Sequence, residues 1–202
     1  PKHRLACSRA ALNMPAAAKR KAATPATKCK GPMLDFLFRR LTAASPRGAA
    51  SFETVTKSAR RPHWYVEGKV PDTLDGRFGV LATLTALILV RLEADGERGD
   101  GVSVGLTERF IEVMESEHRE LGLGDPTLGK TVRKLVGSLA RRTELWRSAT
   151  SGSTPWVETT ADSLYKAGIS PDAVVHSSAA LERLWAGLKS ASIEEIGQGK
   201  VQ

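Results

Sequence analysis

The sequence predicts an all-α fold, a single-domain bundle of six or seven helices around one central apolar helix. Apolar residues recur with the 3.6-residue period of helices, whereas the two-residue alternation of strands is absent from the sequence. Residues 78–90 form a run of 13 residues without a charge, flanked by Arg77 and Arg91. A helix that is apolar on all sides is either buried or spans a membrane, and spanning needs about 20 residues. We therefore predict that this helix is the centre of the bundle.

The length and charge of the chain narrow the possible classes of function. The 202 residues suffice for one domain with a hydrophobic core. There are 30 Lys and Arg against 22 Asp and Glu, a net charge of +8. Residues 1–32 contain eight basic residues and no acid, so the rest of the chain is neutral. The overall charge therefore does not indicate a nucleic-acid-binding domain, and the two cysteines do not form a disulfide framework.

Residues 1–32 are rich in Ala, Lys, Arg and Pro, and we predict that they form a disordered basic extension. Three interpretations stay open: an upstream extension without function, which is favoured, a basic arm that binds phosphates or anionic lipid, or an acid-free transit peptide. Residues 33–50 are predicted to hold a short helix over 33–42 and a linker over 43–50, which is rich in Pro, Gly, Ser and Ala.

The predicted core domain covers residues 51–150 and begins with two helices. Ser51 caps the first, which runs to about residue 61. A loop over residues 62–71 follows. Thr73 or Asp75 then caps the central helix, which ends near residue 93.

Two further helices complete this core, and others follow it. A polar, glycine-rich loop over residues 95–101 precedes a helix from Ser103 to about residue 121. Asp125 caps the next helix, which runs to about residue 147. Residues 151–202 are predicted to form C-terminal helices that complete or flank the bundle. One starts at residues 154–155 and ends at residue 168, and another starts at residues 170–171.

Residues 124–131 match the phosphate-loop pattern GxxxxGK[ST]. That pattern binds phosphate where a strand leads into a glycine-rich loop and a helix, but here the preceding segment has helical periodicity. Pro126 removes an N–H that the loop needs, and Asp125 places a carboxylate where the phosphates would lie. Nucleotide binding is therefore the disfavoured interpretation, and the start of a helix is the favoured one.

No arrangement of residues typical of catalysis is visible in the sequence. The four histidines, which include His118, do not pair with another His or Cys at metal-binding spacing. We predict no catalytic residue, no metal site and no cofactor, and hence no enzyme. Glu117 falls on the apolar side of its helix, which predicts a buried carboxylate paired with an arginine.

One set of candidate partner-binding residues lies before and at the start of the central helix. Trp64 and Tyr65 are not needed to continue a helical stripe. They form either the rim of an apolar groove or a plug at the end of the bundle, and both interpretations stay open. Asp72, Asp75 and Arg77 form either a polar cluster for binding or a helix cap with a local ion pair, and the cap is favoured.

A second set of candidates gives the helix after Asp125 a basic outer face. It consists of Lys130, Arg133, Lys134 and Arg141. Because the preceding helix is acidic, the favoured interpretation is a solvated surface with ion pairs between the two helices. The alternative is a docking patch for an anionic surface.

Residues 63–78 contain Val-Pro-Asp-Thr-Leu-Asp-Gly-Arg-Phe, and residues 106–130 contain Arg-Glu-Leu-Gly-Leu-Gly-Asp followed by Gly-Lys. In these two stretches the sequence resembles the ubiquinol–cytochrome c chaperone family. The resemblance covers residues 51–147 and adds Arg119 and Asp125 to the candidate partner-binding residues. His118 stands where the family usually has an apolar residue, so this chain must bury an imidazole or turn it outward.

The resemblance implies a non-enzymatic chaperone that binds newly made cytochrome b and aids assembly of ubiquinol–cytochrome c reductase, the bc1 complex (complex III) of the respiratory chain. It implies that cytochrome b is the client, with the ribosome near the tunnel exit, a small partner protein and peripheral membrane contact as further partners. No sequence-specific nucleic acid is expected. The expected location is the bacterial cytoplasm, at the inner membrane, or the mitochondrial matrix. The alternative function is an adaptor that docks on a ribosome or membrane surface without holding a client.

Overall fold

The computed structural model describes residues 46–122, 124–165 and 169–201. These residues form seven α-helices and no strand, which confirms the predicted all-α fold. The predicted extension over 1–32 and the predicted helix over 33–42 lie outside the described residues. The helices are α1 Pro46–Ala59, α2 Leu74–Glu93, α3 Glu97–Glu120, α4 Asp125–Thr150, α5 Trp156–Leu164, α6 Pro171–Ser190 and α7 Ile193–Gly197.

Helix α2 is the centre of the bundle, as its uncharged run predicts. It packs against α1, α3, α4, α5 and α6. Every residue from 82 to 90 is buried, so no side of this stretch faces water. The core around it contains Phe110 of α3, Trp146 of α4 and Leu181 of α6, which are fully buried. An unpaired charge in such a position would be costly, which explains why charges occur only near the two ends of the helix.

Polar side chains fix both ends of α2. Thr73 caps the N-terminus, where its hydroxyl accepts a hydrogen bond from the amide three residues later. At the other end, Arg91 forms an ion pair with Asp95. The Arg91 guanidinium also donates to the carbonyl oxygens of Leu188, at 3.0 Å, and Ala191, at 3.3 Å. Arg91 therefore joins the C-terminal end of α2 to the C-terminal end of α6.

Helix α1 begins at Pro46, not at Ser51 as predicted. Residues 46–50, predicted as the end of a linker, are helical. The physical reason lies at Gly48, where a Cβ would stand 2.1 Å from the backbone of Gly105 on α3. Only glycine allows this approach, so the small residues that suggested a linker form part of the contact between α1 and α3. Ser51 is buried, and its hydroxyl donates to the carbonyl oxygen of Ile196.

Helix α3 also begins earlier than predicted, at Glu97 rather than Ser103. Most of the predicted loop over residues 95–101 is therefore helical. Gly99 is buried in the first turn of α3, and a Cβ there would lie 2.1 Å from the carbonyl oxygen of Leu92. The glycines that suggested a loop let α3 fold back directly against the end of α2.

The remaining predicted helices agree with the structure to within a few residues, and α7 was not predicted. α5 ends at Leu164, before the predicted end at residue 168. A capping box starts α7, in which Ser192 and Glu195 exchange side-chain and backbone hydrogen bonds. α7 packs against α1 and α3. Within the described parts of the chain, no helix combines the length and apolar character needed to cross a membrane.

Candidate binding groove

A groove of about 950 Å³ opens beside the loop over residues 62–71, where α1, α2, α3 and α4 approach one another. The C-terminal ends of α1 and α3 and the N-terminal end of α2 supply most of its walls. Its apolar lining includes Ala59 of α1, Phe78 of α2, Met114 of α3 and Leu135 of α4. Four helices therefore converge on one concave, mainly apolar surface.

Three large apolar side chains in this groove are exposed to solvent. Their exposed fractions are 55% for Val66, 56% for Leu74 and 63% for Leu121. They are half of the large hydrophobic residues that are exposed in the described part of the chain. The other three are Val104, Val157 and Val175. Exposed apolar residues gathered around one concave site are typical of a surface that a partner covers.

The structure separates the two aromatic residues that were candidates for the rim. Trp64 is buried, and its indole N–H donates to the carbonyl oxygen of Ser58 at 2.9 Å. Tyr65 lines the groove, and its hydroxyl donates to the carbonyl oxygen of Ala59 at 2.7 Å. Burial raises the pKa of Tyr65, which keeps this donor protonated. Both acceptors lie at the end of α1, where carbonyls lack partners within the helix. Trp64 therefore plugs the end of α1, and Tyr65 both closes it and faces the groove.

The three polar residues predicted at the start of α2 all line the groove. Arg77 donates from Nε to Asp72 Oδ1 at 2.5 Å, and both side chains are exposed. The guanidinium beside it lowers the pKa of the Asp72 carboxyl. Asp75 lies in the first turn of α2, where the helix dipole favours a negative charge. The structure therefore shows a local ion pair and a capped helix start at the edge of the groove.

The α3 wall of the groove contains residues that were not selected as binding candidates. Glu117, His118 and Glu120 line it. Glu117 was predicted to be buried against an arginine, and this was wrong: it is exposed and forms no ion pair within the described residues. A carboxylate on the apolar side of α3 was the signal that this side faces an open groove rather than a closed core.

His118 is neither buried in the core nor turned away from the protein. Its ring is partly exposed, and Nδ1 lies 2.7 Å from the carbonyl oxygen of Met114 one turn earlier in α3. A carbonyl only accepts, so Nδ1 carries the proton and Nε2 is the other polar atom of the ring. The imidazole is thus fixed on the groove wall.

The four basic candidates of α4 form an exposed stripe, defined as Lys130, Arg133, Lys134 and Arg141. None of them forms an ion pair with a carboxylate of the described residues, so the predicted ion pairs between α3 and α4 were wrong. Two acidic residues of α3, Glu112 and Glu115, pair with Arg109 and Arg119 of the same helix instead. The stripe is therefore a positive surface that no carboxylate of the described side chains neutralises.

Of the two candidates added by the family resemblance, Arg119 does not line the groove. Arg119 is exposed and donates to Glu115 at 2.8 Å, one turn earlier on α3. The side chain of Asp125 lies outside what the structure describes. Neither residue therefore contributes a described contact to the site.

Residues 124–131 lack the architecture of a phosphate loop. The described residues before Gly124 belong to the end of α3 and its C-terminal turn, and α4 begins directly at Asp125. A strand that leads into the motif is absent from this part of the described chain. The pattern therefore marks the start of a helix. In the same described ranges, no three His, Cys, Asp or Glu side chains are grouped closely enough to hold a metal ion.

A family model described as ubiquinol-cytochrome C chaperone matches residues 66–166, half of the chain. The chain belongs to this family. The matched segment of the chaperone family includes α2, α3 and α4, and hence most of the groove. The end of α1 and the segment after it, up to Tyr65, add the remaining wall from outside the matched segment.

The fold of this family member also occurs in a solved structure. A crystal structure described as the Cbp3 homolog from Brucella abortus matches with a TM-score of 0.68 and 21% sequence identity. The match covers 84% of this chain and 96% of that chain. A comparison with curated proteins finds no significant match.

Proposed function

We propose that this ubiquinol–cytochrome c chaperone is a non-enzymatic assembly factor that binds newly made cytochrome b and aids assembly of the bc1 complex. The groove with its exposed apolar residues carries the proposal. A membrane protein exposes apolar helices until it meets its partners, and covering them requires a complementary groove rather than reactive groups. Family membership supports the chaperone role, and cytochrome b is the client that the resemblance implies.

The exposed apolar side chains set the scale of the binding energy. Full burial of an exposed Val or Leu contributes roughly 1.5–3 kcal/mol. Val66, Leu74 and Leu121 are each about half exposed, so a client that covers them gains about 1 kcal/mol from each. Together they account for about 3 kcal/mol, or roughly a hundredfold in affinity.

The test replaces the three exposed apolar residues of the groove by serine: Val66→Ser, Leu74→Ser and Leu121→Ser. The matched control replaces the three other exposed apolar residues of the described chain, which are 43–54% exposed: Val104→Ser, Val157→Ser and Val175→Ser. We expect the groove variant, but not the control, to recover less cytochrome b in a cross-linking pull-down and to lower the cellular amount of assembled bc1 complex. Normal bc1 levels in the groove variant, or equal losses in both variants, would contradict the proposal.

A second candidate function rests on the unpaired basic stripe of α4. An adaptor that docks on a ribosome or an anionic membrane surface needs positive charge that local carboxylates do not neutralise, and the stripe has this property. The test variant combines Lys130→Glu, Arg133→Glu and Lys134→Glu. The matched control combines Arg98→Glu, Lys189→Glu and Lys200→Glu, which are exposed and lie on other helices or turns.

We expect the stripe variant to lose co-sedimentation with ribosomes or with anionic vesicles, whichever binds the native chain, and to retain cytochrome b. Retained co-sedimentation would remove docking through this face. Loss of cytochrome b with unchanged docking would instead place the client on α4.

A further inference from the structure

The charges of the groove are distributed unevenly over its walls. Four carboxylates and two guanidiniums line it, so its net charge is negative. On the α2 side, Asp72 is paired with Arg77. On the α3 side, Glu117 and Glu120 are exposed and form no ion pair within the described residues. Three residues apart on a helix, these two carboxylates point from the same face.

The two free carboxylates stand beside the most exposed apolar residue of the site. Leu121 follows Glu120 directly, and Met114 lies one turn before Glu117 and His118 on the same wall. An occupant that covers Leu121 therefore also meets two negative charges. An anionic membrane surface or an acidic peptide would be repelled there, whereas a Lys or Arg side chain would form ion pairs. Lys and Arg also have apolar stems that lie favourably along such a surface.

Apolar helices and basic residues occur together at a defined place in membrane proteins. Lys and Arg are enriched in the loops that flank transmembrane helices on the side where the protein is made. We propose, resting on the proposed function, that the groove binds the basic-flanked end of a transmembrane helix. The apolar turn of that helix covers Met114, Leu135 and the exposed apolar residues, and its flanking Lys or Arg pairs with Glu117 and Glu120.

The test measures the binding of two synthetic peptides to the full chain by fluorescence anisotropy. Both contain the same Leu/Ala-rich helix of about 15 residues joined to an uncharged solubilising tail. One ends in two lysines and the other in two glutamates. We expect the lysine peptide to bind about fivefold more tightly at low salt, as two partly exposed ion pairs allow. The preference shrinks at high salt because exposed charges are screened.

Two double variants test whether Glu117 and Glu120 cause the preference for the lysine peptide. Glu117→Gln with Glu120→Gln is expected to abolish the preference for the lysine peptide. The control, Glu108→Gln with Glu158→Gln, removes the same charge from residues that do not line the groove, and is expected to keep it. An unchanged affinity for an uncharged version of the peptide shows that the groove variant is folded.

Each other outcome overturns the inference in a distinguishable way. Equal binding of both peptides, or a preference that survives Glu117→Gln with Glu120→Gln, refutes basic-flank recognition and leaves the client groove intact. Binding of neither peptide, together with normal bc1 assembly in the serine variant of the groove, refutes the proposed function as well. A dimer in solution whose dissociation is required for peptide binding assigns the groove to a second copy of this chain.

Discussion

Arg142 on α4 is a guanidinium without a carboxylate partner among the described residues. It donates from Nη2 to the carbonyl oxygen of Ser163 at 2.8 Å and from Nη1 to Ser138, and it lies 5.8 Å from the ring centroid of Phe78. Its Nε atom is buried without a hydrogen-bond partner. Burial, with a smaller effect from Arg141, lowers the pKa of Arg142. The side chain thus joins α4 to α5 through neutral acceptors and an aromatic ring.

Arg142→Ala is therefore expected to lower the free energy of unfolding by about 2 kcal/mol, since it leaves the Ser163 carbonyl without its charged donor. Arg141→Ala, at the exposed neighbouring position, is expected to change it by less than about 0.5 kcal/mol. Urea unfolding of both variants measures the difference. Equal effects would show that Arg142 has no structural role beyond that of a surface charge.

His63 and His176 come together although 113 residues separate them. His176 Nε2 lies 3.3 Å from His63 Nδ1, and the His63 ring packs against Trp64 with centroids 4.4 Å apart and ring planes tilted by 39°. Burial, then the neighbouring His176 and Arg61, lowers the pKa of His63, and Arg183 acts in the same direction while Glu67 opposes it. The folded state therefore favours the neutral imidazole.

The pH dependence of stability follows from this lowered pKa. The unfolded chain takes up a proton near its ordinary pKa of about 6.5, before the folded chain does. The free energy of unfolding is thus expected to fall as the pH drops below this value, until His63 is also protonated in the fold. His63→Gln is expected to flatten that slope, measured by urea unfolding between neutral and mildly acidic pH. A loss of ring packing alone would lower stability at every pH and leave the slope unchanged.

At the scale of helices, the contact between α1 and α3 depends on the absence of a side chain. Gly48→Ala would place a Cβ 2.1–2.4 Å from the backbone of residues 105 and 106, so the helices must move apart. We expect a loss of about 1–3 kcal/mol of stability, as is usual for overpacking. The control is Gly137→Ala on α4, where a Cβ meets nothing within 4 Å. It is expected to stabilise the fold by about 0.5–1 kcal/mol, because alanine favours helices.

Thermal or urea unfolding of both glycine variants measures whether the free energy of unfolding falls for Gly48→Ala and rises for Gly137→Ala. A Gly48→Ala protein as stable as the native chain would mean that α1 shifts without cost, and that its contact with α3 does not determine where the helix starts.

The helices show which parts of the fold follow from local sequence. The uncharged run of residues 78–90 predicts α2 and its burial, because this prediction depends only on the residues of that one segment. The starts of α1 and α3 were misassigned because glycine has two meanings in a sequence: a flexible turn, or a close contact between backbones. Gly48 and Gly99 have the second meaning, and only the packing partner reveals it.

At the scale of the whole molecule, one part of the groove could be predicted from local sequence and another part could not. Tyr65, Asp72, Asp75 and Arg77 are close in sequence, and one stretch of sequence predicts that they lie together. The α3 wall joins them through packing between distant segments, which periodicity does not specify. The position of Glu117 on the apolar face of its helix was a sign of the α3 wall. Because the sequence does not reveal the groove, the favoured explanation was a buried ion pair.

The net positive charge of the chain lies in residues 1–32, whereas the described residues that line the groove all come from position 56 or later. We therefore expect deletion of residues 1–32 to leave bc1 assembly and peptide binding unchanged, as measured in cells and by anisotropy. If deletion instead weakens a salt-sensitive association with ribosomes or anionic vesicles, the segment is a basic arm, and the favoured interpretation of it as an extension without function is wrong.

Hydrogen bonds between α1 and the segment after α6 have a consequence for the biosynthesis of the protein itself. Ser51 and Thr54 donate to the carbonyl oxygens of Ile196 and Gly199, and 145 residues separate donor from acceptor in each pair. During translation, α1 therefore emerges long before these acceptors exist. While residues 193–199 are still inside the ribosome, Ser51 and Thr54 lack these acceptors, so α1 completes its native hydrogen bonds only after that segment has emerged.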